Sequence, residues 1–154
     1  MKIAIGTDHG GFTLKSKLIR SLEAAGHRVV DLGTMSPDPC DYPRIGAKVG
    51  EAVARGRVQR GVLLCKSGGG MGIVANKFPG VRAVVCETVP SAQHAREHNN
   101  ANVLVLGAEG LRPREAVRIL EAWVATPFAG GRHARRVRQM TQIEKRIRRS
   151  FRHV

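Results

Sequence analysis

The chain has 154 residues, 42% of them hydrophobic and 4% aromatic, with a formal net charge of +14. That length suits one domain with its own core, spanning residues 1–154. No stretch approaches the roughly eighteen apolar residues of a membrane span, and the opening MKIAIG lacks the basic and apolar regions of a leader, so a soluble, cytoplasmic chain with no membrane partner is expected.

Cys40, Cys65 and Cys86 are odd in number, widely spaced and free of any CxxC pattern. This argues against a disulfide framework and a thiolate metal site, and leaves free thiols. The positive charge is concentrated at the C-terminus. From residue 132 onward Arg132, Arg135, Arg136, Arg138, Lys145, Arg146, Arg148, Arg149 and Arg152 face one acid, Glu144, an excess of +8. Within that run Val137, Met140, Ile143 and Ile147 recur at spacings of three and four, which predicts an amphipathic helix over 132–150 with a docked apolar face. Few aromatic rings are available to stack bases, so nucleic acid is not the expected partner.

In chain order, β-rich runs fall at residues 2–7, 28–33, 61–66, 82–87 and 102–107, most of them continuously apolar, as in strands covered on both faces. Helical patterns separate them. Leu14, Leu18, Ile19 and Leu22 mark one helix, and Ile45, Val49 and Val53 mark another that begins after Pro43. Two more run over residues 91–98 and 113–123, the latter opened by Pro113. The alternation predicts an α/β fold: a single-domain, doubly wound, Rossmann-like sheet of five parallel strands with the amphipathic helix appended. Ligands of such sheets bind beyond the carboxyl ends of the strands, which makes the residues closing each strand the place to look.

The first strand closes in GTDHGG. His9 beside a helix start can hold a phosphate and Asp8 a sugar hydroxyl; the alternative is an aspartate N-cap with an incidental histidine. Tyr42, in CDYP, can line a sugar pocket or simply pack. The third strand closes in CKSGGGMG, where Ser67, Gly68, Gly69 and Gly70 can present backbone N–H groups to an anion. This stretch is not a Walker A loop, and Ile73 occupies the place of the third glycine of a dinucleotide fingerprint; Glu87, near the spacing of a ribose-binding acid, keeps a dinucleotide site open. Cys65 beside Lys66 reads either as a thiolate nucleophile or base, or as a small buried hydrophobe. AREHNNANV supplies the His98 imidazole and the Asn99 and Asn100 amides, and GGRHARR places Arg132 and Arg136 four apart on one helix face, suited to a phosphate.

GTDHGG, DYP, CKSGGGMGIVANKFPGVRAVVC, REHNNANVLVLG and GGRHARRV resemble, in order and spacing, the ribose-5-phosphate isomerase B family, which includes isomerases of galactose 6-phosphate and allose 6-phosphate. The resemblance covers nearly the whole chain. It implies an aldose–ketose isomerase, acting on ribose 5-phosphate and ribulose 5-phosphate or on another pentose or hexose phosphate, or else a phosphosugar-binding homologue without turnover. On that pattern Cys65 is the base moving a proton between C1 and C2, and Ser67 with the Gly68, Gly69 and Gly70 amides stabilises the enediolate. His98, helped by Asp8, opens the furanose ring; His9, Arg132 and Arg136 hold the phosphate; Tyr42 and Asn99 contact the sugar. Met71 stands where one branch of the family carries a glutamate base, which points to the cysteine branch. The reaction leaves redox state unchanged, so no cofactor and no metal is expected. A homodimer or homotetramer is expected, with His98 and Asn99 reaching the neighbour's Cys65. Two positions depart from the pattern: Lys66 replaces a glycine, and Glu109 replaces an arginine that reaches the phosphate.

Overall fold

The computed structural model describes residues 1–151; Arg152, counted above with the basic terminus, lies outside the described residues. The chain alternates β1 (Lys2–Thr7), α1 (Phe12–Ala24), β2 (Arg28–Asp31), α2 (Tyr42–Ala54), β3 (Arg60–Cys65), α3 (Gly69–Ala75), β4 (Ala83–Val85), α4 (Val89–Asn99), β5 (Val103–Gly107), α5 (Pro113–Ala125) and α6 (Gly131–Ser150). The five strands form one parallel sheet in the order β2-β1-β3-β5-β4.

Period-two alternation divides the buried strand residues between two cores. Ile3, Ile5, Val62, Leu64, Leu104 and Leu106 pack with α1, α4 and α5, where Leu14, Leu18 and Leu22 form one stripe and Ile119, Leu120 and Trp123 another. Ala4, Leu63, Cys65, Val103 and Val105 pack on the opposite face with α2 and α3. Both faces of the sheet are therefore covered, the condition that made its strands read as continuous apolar runs. Among the described residues no helix is long and apolar enough to cross a membrane.

Several element ends differ from expectation, each for a local reason. β2 stops at Asp31, whose carboxylate accepts the Gly33 N–H at 3.0 Å and turns the chain. β4 is three residues long and pairs only with β5, at the sheet edge. α2 starts at Tyr42, with Pro43 in the first turn, where a missing N–H costs no helical bond. α4 starts at Val89 because Thr88 caps it: the Ser91 N–H donates to Thr88 Oγ1 at 3.2 Å, and the Thr88 N–H donates to Ser91 Oγ at 3.0 Å.

The largest difference concerns α6. Val137 and Thr141 are half-buried and the Gly80 N–H donates to Glu144 at 2.8 Å, so the middle of the helix rests on the α3–β4 loop. Met140, Ile143 and Ile147 are exposed, at 40%, 49% and 49%. The apolar face expected to dock is thus uncovered by this chain's own residues.

The loop after β2 is held by an ion pair between a buried lysine and a half-buried aspartate. Lys15, on α1, is 5% exposed; its ammonium lies 2.7 Å from Asp31 and also donates to the Thr34 carbonyl. Thr7 and residues 33 and 34 complete the tie, through Thr7 N–H to Gly33 O at 2.7 Å and Thr34 N–H to Thr7 O at 2.6 Å. Removing one member of a buried pair strands the other. Lys15→Ala should destabilise the fold by about 3 kcal/mol, read as a lower urea midpoint at unchanged m-value; an effect below about 1 kcal/mol would mean that water replaces the ammonium.

Candidate active site

The carboxyl ends of β1 and β3 lie side by side, where the chain leaves β1 for β2 on one flank and later enters β3 on the other. Asp8 follows β1 and caps the short 3-10 turn at His9–Gly11, accepting the Gly10 N–H at 2.8 Å. The N-cap reading of Asp8 therefore holds as geometry, and its own N–H donates to Leu64 O on β3 at 3.3 Å. His9 is exposed, and its Nδ1 accepts the Cys40 N–H at 3.2 Å, which puts the proton of the neutral ring on Nε2. A groove of about 720 Å³ opens beside His9 between the β2–α2 loop and α2, with Arg44 and Lys48 on its wall.

Cys65 closes β3. It is buried, at 5% exposure. The Gly68 N–H donates to Sγ at 3.1 Å, so the backbone aims a donor at the sulfur. Gly68 has φ +81, and a Cβ there would meet Val85 at 3.1 Å and the Gly107 nitrogen at 3.2 Å; only glycine brings this amide to the thiol. Gly69 and Gly70 belong to the first turn of α3 rather than to the loop. A Cβ on Gly70 would stand 2.6 Å from the Tyr42 ring, so Tyr42 lies directly over the glycine turn. Ser67 is exposed beside it. Lys66 turns away from the thiol toward Glu109, 3.4 Å from its carboxylate, with both side chains largely in solvent.

The remaining expected site residues lie elsewhere. α4 follows β4 and returns antiparallel to it, which carries His98 and Asn99 to the amino edge of the sheet. There Arg82, just before β4, donates to the Asn99 and Asn100 carbonyls at 3.1 and 3.0 Å. α6 begins at the same edge, with the Ala129 N–H donating to Glu97 O at 3.1 Å, so Arg132 and Arg136 stand near His98. Asn100 is consumed structurally: it ends α4 in the left-handed region at φ 48, and its Oδ1 accepts from Arg96 at 2.9 Å. Cys65 and His98 thus sit at opposite ends of strands that rise about 3.3 Å per residue, a separation of roughly 15 Å or more within one chain.

Sequence reasoning missed two features. Arg96 is 6% exposed and ties the α4 end to the Ala101 and Thr126 carbonyls; burial pushes its pKa down to about 10, which leaves it charged at neutral pH. The rings of His94, His98 and His133 are stacked. The spacing of His94 and His98, four apart on one helix, was the available signal. Among the described residues no three His, Cys, Asp or Glu side chains converge as metal ligands would.

The sequence pattern of the ribose/galactose isomerases matches residues 3–140. The chain belongs to the ribose/galactose isomerase family. It is 46% identical to ribose-5-phosphate isomerase B of Escherichia coli over 94% of its own length and 97% of the relative's, and 38% identical to ribose-5-P isomerase B of Listeria innocua over 96% and 100%. Among solved structures, ribose-5-phosphate isomerase B of Clostridium thermocellum superposes with a TM-score of 0.92 at 45% identity, over 96% of this chain and 99% of that one. The enzyme of Mycoplasma genitalium, solved with bound ribulose 5-phosphate, gives 0.90 at 36% identity over 94% and 96%. Membership makes this chain a sugar-phosphate aldose–ketose isomerase.

The three thiols of this isomerase differ in ways that can be measured. Cys86 is 1% exposed, and burial pushes its pKa up to about 11. Near neutral pH iodoacetamide should leave Cys86 unmodified in the native protein while alkylating the half-buried Cys40, as read by peptide mass mapping. Gly68→Ala should cost about 1–3 kcal/mol of stability and lower turnover, because the residue leaves the left-handed region and withdraws its N–H from Sγ; wild-type turnover would show that the amide is dispensable.

Proposed function

We propose that this isomerase interconverts ribose 5-phosphate and ribulose 5-phosphate at sites shared between two copies of the chain. The observation that carries the reading is the split just described. Asp8, His9, Tyr42, Cys65, Ser67 and the glycine turn occupy one edge of the sheet, and His98, Asn99, Arg132 and Arg136 the other. A closed symmetric dimer brings one chain's carboxyl edge to its partner's amino edge twice over, completing two sites. Supporting surface is present: Ile73, 64% exposed, and Val85, 37% exposed, flank the glycine turn, and the uncovered apolar face of α6 extends from the other cluster.

In the proposed reaction His98, with Asp8 assisting, transfers the proton between the anomeric hydroxyl and the ring oxygen that opens the furanose. Cys65 as thiolate then takes the C2 proton of the open aldose and returns it to C1, while the oxygens exchange a proton so that the carbonyl moves from C1 to C2. The enediolate formed between these steps gains charge on oxygen, beside Ser67 and the N–H groups of the glycine turn. Arg132, Arg136 and His9 hold the phosphate throughout, and Tyr42 and Asn99 orient the sugar. Electron count is conserved, so the residues named supply everything the reaction consumes. Most of the cationic surface of α6 then serves docking and phosphate binding, with the cytoplasm as its setting.

A mixing experiment tests the sharing directly. Cys65→Ala and His98→Ala should each lower kcat by about 10²–10⁴-fold while leaving phosphosugar affinity largely intact. Co-refolded in equal amounts, the two inactive variants should recover about a quarter of wild-type activity, since half the dimers are mixed and each of those has one site with both groups. No recovery would place Cys65 and His98 in different sites. Glu109→Arg should lower KM for ribose 5-phosphate by up to about fivefold, by removing a carboxylate near the phosphate; an unchanged KM would mean that Lys66 already neutralises it.

A further inference from the structure

His98 is the middle ring of three. His94 lies one turn before it on α4, with ring centroids 5.1 Å apart and planes 10° from parallel. His133, in the first turn of α6, lies 4.3 Å away at 8°. The base beneath this column is rigid, because Arg96 fastens the end of α4 and the Ala129 N–H fastens the approach to α6.

We propose that His133 is a positioning residue for the reaction: with His94 it clamps the His98 imidazole from both faces, so that only the ring edge, which carries both nitrogens, is offered to the sugar. The inference rests on the assignment of His98 to ring opening. A flat ring held on both faces cannot swing about χ2, which fixes where its N–H points. The clamp also bears on charge. The groups facing His133 are His94, Glu97 and His98 on α4 and Arg132 and Arg136 on its own helix. Burial, His98 and the two arginines hold its pKa below the usual histidine range, against a smaller opposite pull from Glu97. His133 is therefore a neutral plate near neutral pH, able to lie against His98 whether or not that ring is protonated.

Ring opening read apart from isomerisation separates this role from a structural one. Ribose 5-phosphate closes to a furanose through its C4 oxygen, and its two furanose anomers exchange through the open aldose. A Cys65→Ala background cannot move the C2 proton but keeps the groups assigned to ring opening, so it should accelerate that exchange, read by saturation-transfer NMR of the anomers. Adding His133→Ala should lower the accelerated exchange about tenfold while phosphosugar affinity stays within about twofold. His133→Phe, which keeps a flat neutral ring, should restore the exchange to within about threefold.

Undiminished exchange in the His133→Ala variant, absence of rescue by Phe, or a loss of exchange matched by an equal loss of phosphosugar affinity would each overturn the proposal. His98→Ala in the same background tells the two readings apart. If Cys65→Ala accelerates no exchange, or His98→Ala leaves the acceleration intact, the assignment of His98 fails and the clamp with it; if His98→Ala abolishes the acceleration and His133→Ala does not lower it, the clamp alone fails. Mass and circular dichroism of each variant identify any loss of assembly, and the Phe variant decides the question if the Ala variant does not fold.

Discussion

In a parallel sheet every helix that follows a strand must carry the chain back, so loops after strands and loops after helices gather at opposite edges. That constraint governs this protein. The candidate residues from Asp8 to Gly70 follow strands or open the helices after them, and collect at one edge. His98 and Asn99 close a helix, and Arg132 and Arg136 open one that starts where α5 has already returned. No rearrangement short of breaking the sheet unites them in one chain. On the proposed function the fold makes association a condition of chemistry, and the apolar side chains exposed at Ile73, Val85, Ile143 and Ile147, in a chain otherwise well packed on both faces, offer the surface for it.

Buried charge fixes both edges. Lys15 with Asp31 sets the loop after β2 and, through the Thr7 to Gly33 and Thr34 bonds, the backbone just before Asp8. Arg96 does the corresponding work at the amino edge, taking three acceptors from the ends of α4 and α5. Each cation loses hydration on burial and regains it as hydrogen bonds to backbone or side-chain oxygens, so what it supplies is geometry more than net stability. The Arg96 position matters for the imidazole column as well: a frayed α4 terminus would release Asn99 first and His98 next.

The sheet was legible because parallel strands covered on both faces leave unbroken apolar runs, and the β1 range was read to the residue. Its short members were read too long. β4 has only one neighbour and a three-residue ladder, and β2 is cut by an aspartate whose partner, Lys15, is seventeen positions upstream of Leu32 and on another element. The candidate site residues, and the expectation that His98 and Asn99 meet another chain's Cys65, came from family resemblance; the residue pattern alone was silent on which edge each occupies, which follows from helix direction, and on how deeply each thiol lies. The α6 pattern was read as amphipathic, which holds, and as docked, which this chain's own residues meet at Val137 and not at Met140, Ile143 and Ile147, because periodicity reports that a face needs a partner and says nothing of whose chain provides it.

The three cysteines show how little of reactivity resides in residue type. Cys86 is buried with nothing to offset its desolvation, and its thiol is held neutral. Cys65 is almost as buried, yet it ends a strand beneath a left-handed glycine whose N–H meets its sulfur at 3.1 Å. Charge on that sulfur would be received by a donor already in place. The same turn leaves Ser67 exposed and sets the Tyr42 ring against Gly70, so a substrate entering over the glycines meets hydroxyls above and the thiol below. Among the described residues this edge offers one imidazole, His9, whose Nδ1 is already occupied by the Cys40 N–H. On the proposed function the second comes from another chain's amino edge, where the His98 ring stacks against those of His94 and His133.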